Sequence, residues 1–548
     1  MIEVFWEAGY LPQTLKDPLI VMLFKKKGSR AECANYRGIS LLDVAGKVLA
    51  RVLLVRLLNS VAELVFPETQ CGFRKDRSTC DMIFVARQLL EKAREQRQDL
   101  FFAFVDLAKA FDTVNREVLW EIMVKSGCTP KFMKIIKCFH QGMSARVCVG
   151  GALSSPFEVT VGVKQGCVLA PTNFNIYLSA ITLLARHNLT AEDGVAFNYR
   201  LDGSLFNLRR LKAKTKTRSA IIFDLQYADD AAYPSPNLQA LQRSMNVIAD
   251  TYAAGGMKVN TDKTEVLQYS QNPLAMDPLD LPSITVGGGN IKNVDSFEYL
   301  GSILNSTCDL EPEIQHRIRL ATANFGKLRG QVFNNRGLTI ETKVKVYNAV
   351  CISVLLYSSE TWTLYRSHIK SLEAFHIRCL QKILGITWQD RIPHVDILQA
   401  TSSTSIEAMI MKRQLRWVGH VIRMPENRLP RQLLYGELLE GTRSVGGQKK
   451  RYKDQLKATL KACNIPPDQL ETLASNRSLW RSTTKQAVEF FEDSRTTTSN
   501  LRRARRHELQ ARGPLLPGEG VLCPTCGKRC ASEFGLRSHQ RSHYHLPR

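Results

Sequence analysis

Tyr227-Ala228-Asp229-Asp230 and the upstream run Leu100-Phe101-Phe102-Ala103-Phe104-Val105-Asp106 decide how this chain folds. The tetrad follows the apolar run Ala220-Ile221-Ile222-Phe223 and is flanked by Ala231-Ala232-Tyr233. Its two carboxylates are therefore expected at the tip of a β-hairpin, with that run leading into it. Asp106 closes a second strand-like run. One carboxylate at a strand end and two at a hairpin tip can converge on a pair of divalent cations. Nucleotidyl transfer needs such a site, one cation activating the attacking hydroxyl and the other holding the triphosphate. Hard carboxylate oxygens suit Mg²⁺, which shares its shell with substrate phosphates. An Asp pair after a strand would by itself read as a plain turn, so the neighbouring segments carry the decision.

Those neighbours come in a fixed order. Leu23-Phe24-Lys25-Lys26-Lys27-Gly28 is followed by Asn35-Tyr36-Arg37-Gly38-Ile39-Ser40-Leu41-Leu42, with Lys47-Val48-Leu49 opening a helix. Gln70-Cys71-Gly72-Phe73-Arg74-Lys75-Asp76-Arg77-Ser78-Thr79 comes next, then Asp106 to Asp112 and Gly162-Val163-Lys164-Gln165-Gly166-Cys167-Val168-Leu169-Ala170-Pro171. After the tetrad come Gly256 to Thr264 and Phe297-Glu298-Tyr299-Leu300-Gly301. In this order the blocks resemble the reverse transcriptases of non-LTR (LINE-type) retrotransposons, where they correspond to the fingers blocks and motifs A to E. Leu355 to Trp362 and Arg413 to His420 resemble the post-polymerase region of the same elements.

The resemblance implies roles residue by residue. Asp106 and Asp229 would ligate two Mg²⁺ ions, with Asp230 either a third ligand or a tuner of the local field. Phe111 falls where the family carries an aromatic gate against the ribose 2′-hydroxyl; without the motif it reads as a core aromatic. Lys26, or another of its three-lysine run, and Arg37 would grip the incoming triphosphate, Arg37 by its fork geometry. Gln165 and Gly166 would meet the nucleotide and template bases, the missing side chain admitting backbone to the substrate. Pro171 fits a helix start, which leaves that pair on the loop before it. Lys263 corresponds to a proposed proton donor to the leaving pyrophosphate, and equally reads as a surface lysine.

The chain carries 75 Lys+Arg against 51 Asp+Glu, a formal charge of +24 over 548 residues. That excess favours a polyanionic partner and salt-sensitive binding. The partners implied are an RNA template, a DNA primer or target DNA, and dNTPs; no membrane partner is expected, and protein partners are left open. Glu3 and Glu7 occupy the region where a signal peptide would be basic, and no apolar run approaches the ~18–20 residues of a membrane span. Most of the 14 cysteines are scattered, as in a reduced intracellular protein, here read as nuclear with a cytoplasmic phase and not secreted.

Toward the C-terminus, Ile314, Ile318, Ala321, Phe325 and Leu328 form one apolar helix face, with Arg317, Arg319 and Lys327 off that stripe. Thr339 to Tyr357 and Leu372 to Ile383 read as further helices. Residues 409–455 hold 11 Lys/Arg against 4 Asp/Glu, with Trp417, Tyr435 and Tyr452 interspersed. Basic and aromatic residues together suit single-stranded nucleic acid; for Trp417 alone burial is the stronger reading. Gly441 to Gly447 reads as a linker, and Arg502-Arg503-Ala504-Arg505-Arg506 as phosphate contacts, an import signal or a solvated linker. Cys523-x2-Cys526-x12-His539-x3-His543 has the ligand types and spacing of a C2H2 zinc finger holding one structural Zn²⁺. Leu536 is its expected core residue, Cys530 stands where an aromatic is usual, and His545 is a spare imidazole.

The fold class expected is α+β, a right-hand polymerase. Its fingers span 1–95, its palm with an antiparallel sheet 96–305, and its helical thumb and post-polymerase region 306–400. A basic helical region and linker (401–515) and a ββα zinc finger (521–545) follow. The chain opens almost directly on the first block, without room for an N-terminal nuclease, and so reads as an N-terminally truncated product of such an element. The reading from a different class is a catalytically silent nucleic-acid-binding remnant, or a host protein derived from one.

Overall fold

Leu100–Val105 is buried at every residue, which explains why its sequence is continuously apolar. Alternate side chains serve two cores: Phe101, Ala103 and Val105 face one, and Leu100, Phe102 and Phe104 face the other. In this computed structural model the strand is the middle member of a five-stranded sheet. Its neighbours are Asp230–Ser235 and Glu265–Tyr269, both antiparallel to it. Residues 2–26, 28–270, 283–443, 445–511, 520–530 and 532–543 are described; Lys27 and His545 lie outside them.

Helices cover both faces of this sheet. On one side lie Val44–Leu57, Ala170–His187 and Leu238–Ala254. On the other lies Thr79–Gln96, a helix capped by a reciprocal box between Ser78 and Asp81. A second sheet near the N-terminus pairs Leu19–Phe24 antiparallel with Tyr36–Leu41 and parallel with Ser144–Val149. A third joins Val195–Tyr199 to Arg218–Ile222 and to Gly436–Leu438, a strand from far down the chain.

From Glu311 to Ile422 the described residues form helices and turns only. The stripe expected on Glu311–Leu328 is present: Ile314, Ala321 and Phe325 are buried, and Ile318 and Leu328 pack beside them. Arg317 departs from the expectation that it lies off the stripe. It is buried, with its Nε 2.8 Å from Glu313 and its guanidinium over the Tyr357 ring. A helix-turn partner and an aromatic face make a buried arginine tolerable.

The run before the tetrad is placed differently from expectation. Ala220–Phe223 does not lead into the hairpin that carries Asp229 and Asp230, because Arg218–Ile222 belongs to the third sheet. The chain breaks at Phe223-Asp224, where the fully buried Asp224 pairs with Arg186, and a fresh short strand, Leu225–Tyr227, enters the hairpin.

Candidate active site

The hairpin brings the three carboxylates together by register. Tyr227 pairs with Asp230 across a two-residue turn, Ala228-Asp229. The return strand pairs Ala231 with Val105, so the next step along the ladder sets Asp230 opposite Asp106. Asp229 and Asp230 reach solvent at the turn while the surrounding protein crowds their carboxyls, and Asp106 is half-buried. Burial raises both tetrad carboxyls above the ordinary range. Asp106 pushes Asp229 further up against the pull of Arg37. Asp229 and Asp106 together push Asp230 up to about 6. Crowded like charges of this kind are relieved by a bound cation.

Asp106 is fixed from the segment 256–264. Its backbone N–H donates to Thr264 Oγ1 (3.3 Å), and its carbonyl accepts from the Asn260 N–H (2.8 Å). Its Oδ2 accepts from Asn260 Nδ2 at 3.2 Å and from Lys263 Nζ at 3.4 Å. Lys263 thus reaches the carboxylate cluster, and Asn260 is a partner that the sequence reading assigned no role.

The loop ahead of Ala170–His187 is stapled to two neighbours. Val163 N–H donates to the Phe111 carbonyl (2.8 Å), and Gly162 N–H to Val114 (2.9 Å). Ser40 N–H donates to the Gln165 carbonyl at 2.7 Å. A Cβ on Gly166, whose φ is +116°, would sit 2.5 Å from the Ser40 carbonyl; only glycine fits that approach. Gln165-Gly166 and the strand carrying Arg37 are therefore joined directly. Lys164 is buried between them and the core, donating to the carbonyls of Lys16 (2.5 Å) and Phe139 (2.6 Å), and burial lowers its pKa to about 8.

Phe111 is half-buried and stacks on Phe174, 4.4 Å between ring centres, so it is partly a core residue. Arg37 is exposed on its strand, and its charge acts on Asp229. Lys26 is exposed with φ +57° just beyond the paired strand. From the lysine run, the charge of Lys25 acts on Asp112, whose carboxyl burial raises against the pull of Lys109 and Lys25.

The segment 70–72 has a function that the sequence reading did not extract. The side chain of Gln70, fully buried, accepts through Oε1 from the N–H groups of Gly72 and Ala228, both at 2.9 Å. Its Nε2 donates to the Ala228 carbonyl at 3.3 Å. Ala228 itself holds φ +57°, a conformation that non-glycine residues adopt at a cost. Gln70 thus satisfies both backbone groups of the strained residue that orients Asp229. Cys71 N–H to Gln226 and Gln226 N–H to Thr69, both 2.9 Å, continue the clamp.

In the C-terminal half, Tyr435 and Tyr452 are core residues instead of a stacking platform, and Trp417 is buried as its own reading expected. Trp417, Tyr435 and Tyr452 are 8%, 1% and 1% exposed and join one cluster. Each fills space between helices, which a count of basic and aromatic residues does not reveal. At the end of the chain, Val521–Leu522, Arg529–Cys530 and Glu533–His543 form a hairpin and helix. The ligand atoms of Cys523, Cys526, His539 and His543 all lie within 4.8 Å of one another. Cys523 Sγ is 3.6 Å from His543 Nε2, and His539 and His543 Nε2 are 3.2 Å apart; tetrahedral zinc bonds imply separations of about 3.4–3.6 Å. Although desolvation opposes it, the N–H groups of Thr525 and Cys526, with His543, bring the Cys523 thiol down to about 7. Cys530 is buried, as its place in the motif requires, and Leu536 is half-buried.

Residues 24–304 match the family described as reverse transcriptase (RNA-dependent DNA polymerase). The chain is similar to the RNA-directed DNA polymerase from mobile element jockey of Drosophila funebris, 25% identical over 71% of this chain and 40% of that protein. It is also similar to the uncharacterized 149 kDa protein of transposon TX1 of Xenopus laevis, 25% identical over 64% of this chain and 25% of that protein. The chain thus spans well under half the length of these relatives. Among solved structures it is similar to apo telomerase from Candida tropicalis, at 11% identity and TM-score 0.34, covering 78% of this chain and 69% of that one. No helix among the described residues is long and apolar enough to cross a membrane.

Proposed function

The chain belongs to the reverse transcriptase family, and on that premise we propose that it extends a primer 3′ end with dNTPs copied from an RNA template. The observation that carries this reading is the convergence of Asp106, Asp229 and Asp230 on adjoining strand ends. A donor set of hard oxygens with a carboxyl raised to about 6 by burial and by its charged neighbours fits divalent cations of the Mg²⁺ kind. Two such cations, held by Asp106 and Asp229 with Asp230 beside them, would supply Lewis-acid charge to the attacking hydroxyl and the triphosphate.

The chain's own residues do the rest. Arg37 binds triphosphate oxygens in a fork, aided by Lys26 or its neighbour Lys25. Gln165 and Gly166 line the nucleotide–template pair, a role supported by their backbone bond to the Arg37 strand. Lys263, 3.4 Å from Asp106, holds a proton for the leaving pyrophosphate. In this reading the sheet around Leu19–Phe24 belongs to the fingers and the central sheet is the palm. The helices from Glu311 onward form the thumb and a basic region. Primer extension on oligo-primed RNA tests it. A folded wild type that binds primed RNA without extending it would favour the silent remnant.

Phe111 is the expected gate. Phe111→Ala should raise ribonucleotide incorporation relative to dNTP by about 10–100-fold, and should cost about 2 kcal/mol from lost packing on Phe174. The ratio of kcat/KM values for rNTP and dNTP reads the first effect and thermal unfolding the second. A fall in Tm with unchanged discrimination would leave Phe111 a packing residue.

Cys523, Cys526, His539 and His543 are proposed to hold one structural Zn²⁺. The purified chain should carry one zinc by elemental analysis, and Cys526→Ser should lose it and expose residues 520–543 to protease. Full zinc content in that variant would remove the assignment.

A further inference from the structure

Behind the clamp on Ala228 sits a charge from far outside the matched family segment. Arg428, 2% exposed, precedes the helix Leu429–Tyr435 and reaches back to residues 68–81. Its Nε lies 2.6 Å from Glu68 Oε1 and its Nη2 2.7 Å from Asp81 Oδ2, while Nη1 donates to the Asp76 carbonyl at 3.1 Å. Each nitrogen of the guanidinium therefore has its own acceptor, and together they tie down both ends of this segment. Glu68 is further held by Arg77 at 2.8 Å. Asp81 caps the helix Thr79–Gln96 through Ser78. Gln70 and Gly72 lie between those two anchors, and Gln70 is two residues from Glu68.

We propose that Arg428 is a positioning residue for the catalytic turn: by bridging Glu68, Asp76 and Asp81 it sets the loop through which Gln70 holds Ala228 and aims Asp229. The family match ends at residue 304, so the polymerase centre is completed from the C-terminal helical region. A buried fork across two carboxylates fixes orientation as well as charge. Without it, the buried Asp81 carboxylate loses its guanidinium partner, Glu68 keeps only Arg77, and the two ends of the loop lose their common tie, which frees the loop to move off Ala228. Displacement of a metal-holding turn by even ~1 Å is felt in the chemical step rather than in substrate binding.

The test uses the full chain as Arg428→Met and Arg428→Lys, with Lys453→Met as comparison. Lys453 is also buried, but its ammonium is held by Glu437 and the Gly436 carbonyl. After active-site titration, Arg428→Met should lower kcat per site by at least about 10-fold and raise the Mg²⁺ needed for half-maximal rate, with KM for dNTP within about 2-fold. Amide exchange should speed up at residues 70–72 and 226–230. Arg428→Lys should recover part of both effects, and it carries the test alone if the Met variant does not fold. Lys453→Met should lower Tm without moving either readout. Loss of Tm in the Arg428 variants with unchanged kcat per site, Mg²⁺ dependence and Ala228 exchange would overturn the proposal. The activity arm rests on the polymerase reading; if the wild type does not extend primers that reading fails, and the exchange arm still decides the role of Arg428.

Discussion

Asp229→Ala should lower primer extension by at least about 10³-fold while folding and template binding survive. The residue sits in a two-residue turn, open to solvent, outside both sheet ladders, so truncating it creates no cavity. Its carboxylate instead repels Asp230, whose carboxyl is pushed up to about 6 by burial and by Asp229 and Asp106. Removing one of these charges relieves the strain, and Tm of the metal-free protein should hold or rise. Loss of rate without loss of Tm separates a chemical role from a structural one. Wild-type extension by this variant would mean that the tetrad is not the catalytic centre.

The same carboxyl predicts a pH dependence. A carboxyl raised above the ordinary value of about 3.9 binds its proton more tightly folded than unfolded. The contribution of Asp230 to stability is therefore present at low pH and is lost as pH rises toward and through about 6. Activity should move in the opposite sense, since only the ionised group holds a cation. At limiting Mg²⁺ the rate should climb between about pH 5 and 7, and saturating Mg²⁺ should shift that rise to lower pH. A flat profile at limiting Mg²⁺ would remove Asp230 from the metal site.

What the sequence disclosed and what it withheld follow from the range of the interactions. The strand ending at Asp106 was legible because burial on both faces leaves an unbroken apolar run, and the helix after Pro171 because its start signal is local. The apolar face of Glu311–Leu328 was legible from spacing alone. The strand entering the hairpin was misread because its true start depends on Asp224 meeting Arg186, a pairing 38 residues apart in the chain. Arg317 was placed off the apolar stripe because nothing in its spacing announces Tyr357 or the Gly301 carbonyl, its partners in the fold. Tyr435 and Tyr452 looked like part of a stacking series because composition cannot say which side of a helix faces its neighbours, whereas Trp417 was read as buried and is. The segment Gln70 to Thr79 was recognisable as a block, yet its purpose was hidden. Gln70 works on Ala228, 158 positions downstream, and its support comes from Arg428.

That hidden contact makes Gly72→Ala the most damaging small change expected outside the carboxylates. A Cβ at Gly72 would lie 2.2 Å from the Ala228 nitrogen and 2.8 Å from its Cα. Both are backbone atoms, so no side-chain rotation relieves the clash. Retreat of the loop is blocked as well, because the Gly72 carbonyl accepts from the buried Asn175 side chain at 2.5 Å and its N–H is held by Gln70. The strain must therefore appear at Ala228, whose φ of +57° leaves it little room. Restoring ordinary contact requires a shift of about 1 Å, which at a reacting centre costs about 10²-fold in rate. Overpacking of this kind destabilises by about 1–3 kcal/mol, too little to unfold a large domain, so the variant should be soluble and bind primed RNA. Its kcat per titrated site should fall about 100-fold, with faster amide exchange at Ala228. Wild-type kcat per site would show that the turn tolerates displacement, and that the clamp secures the fold without aiming the carboxylates.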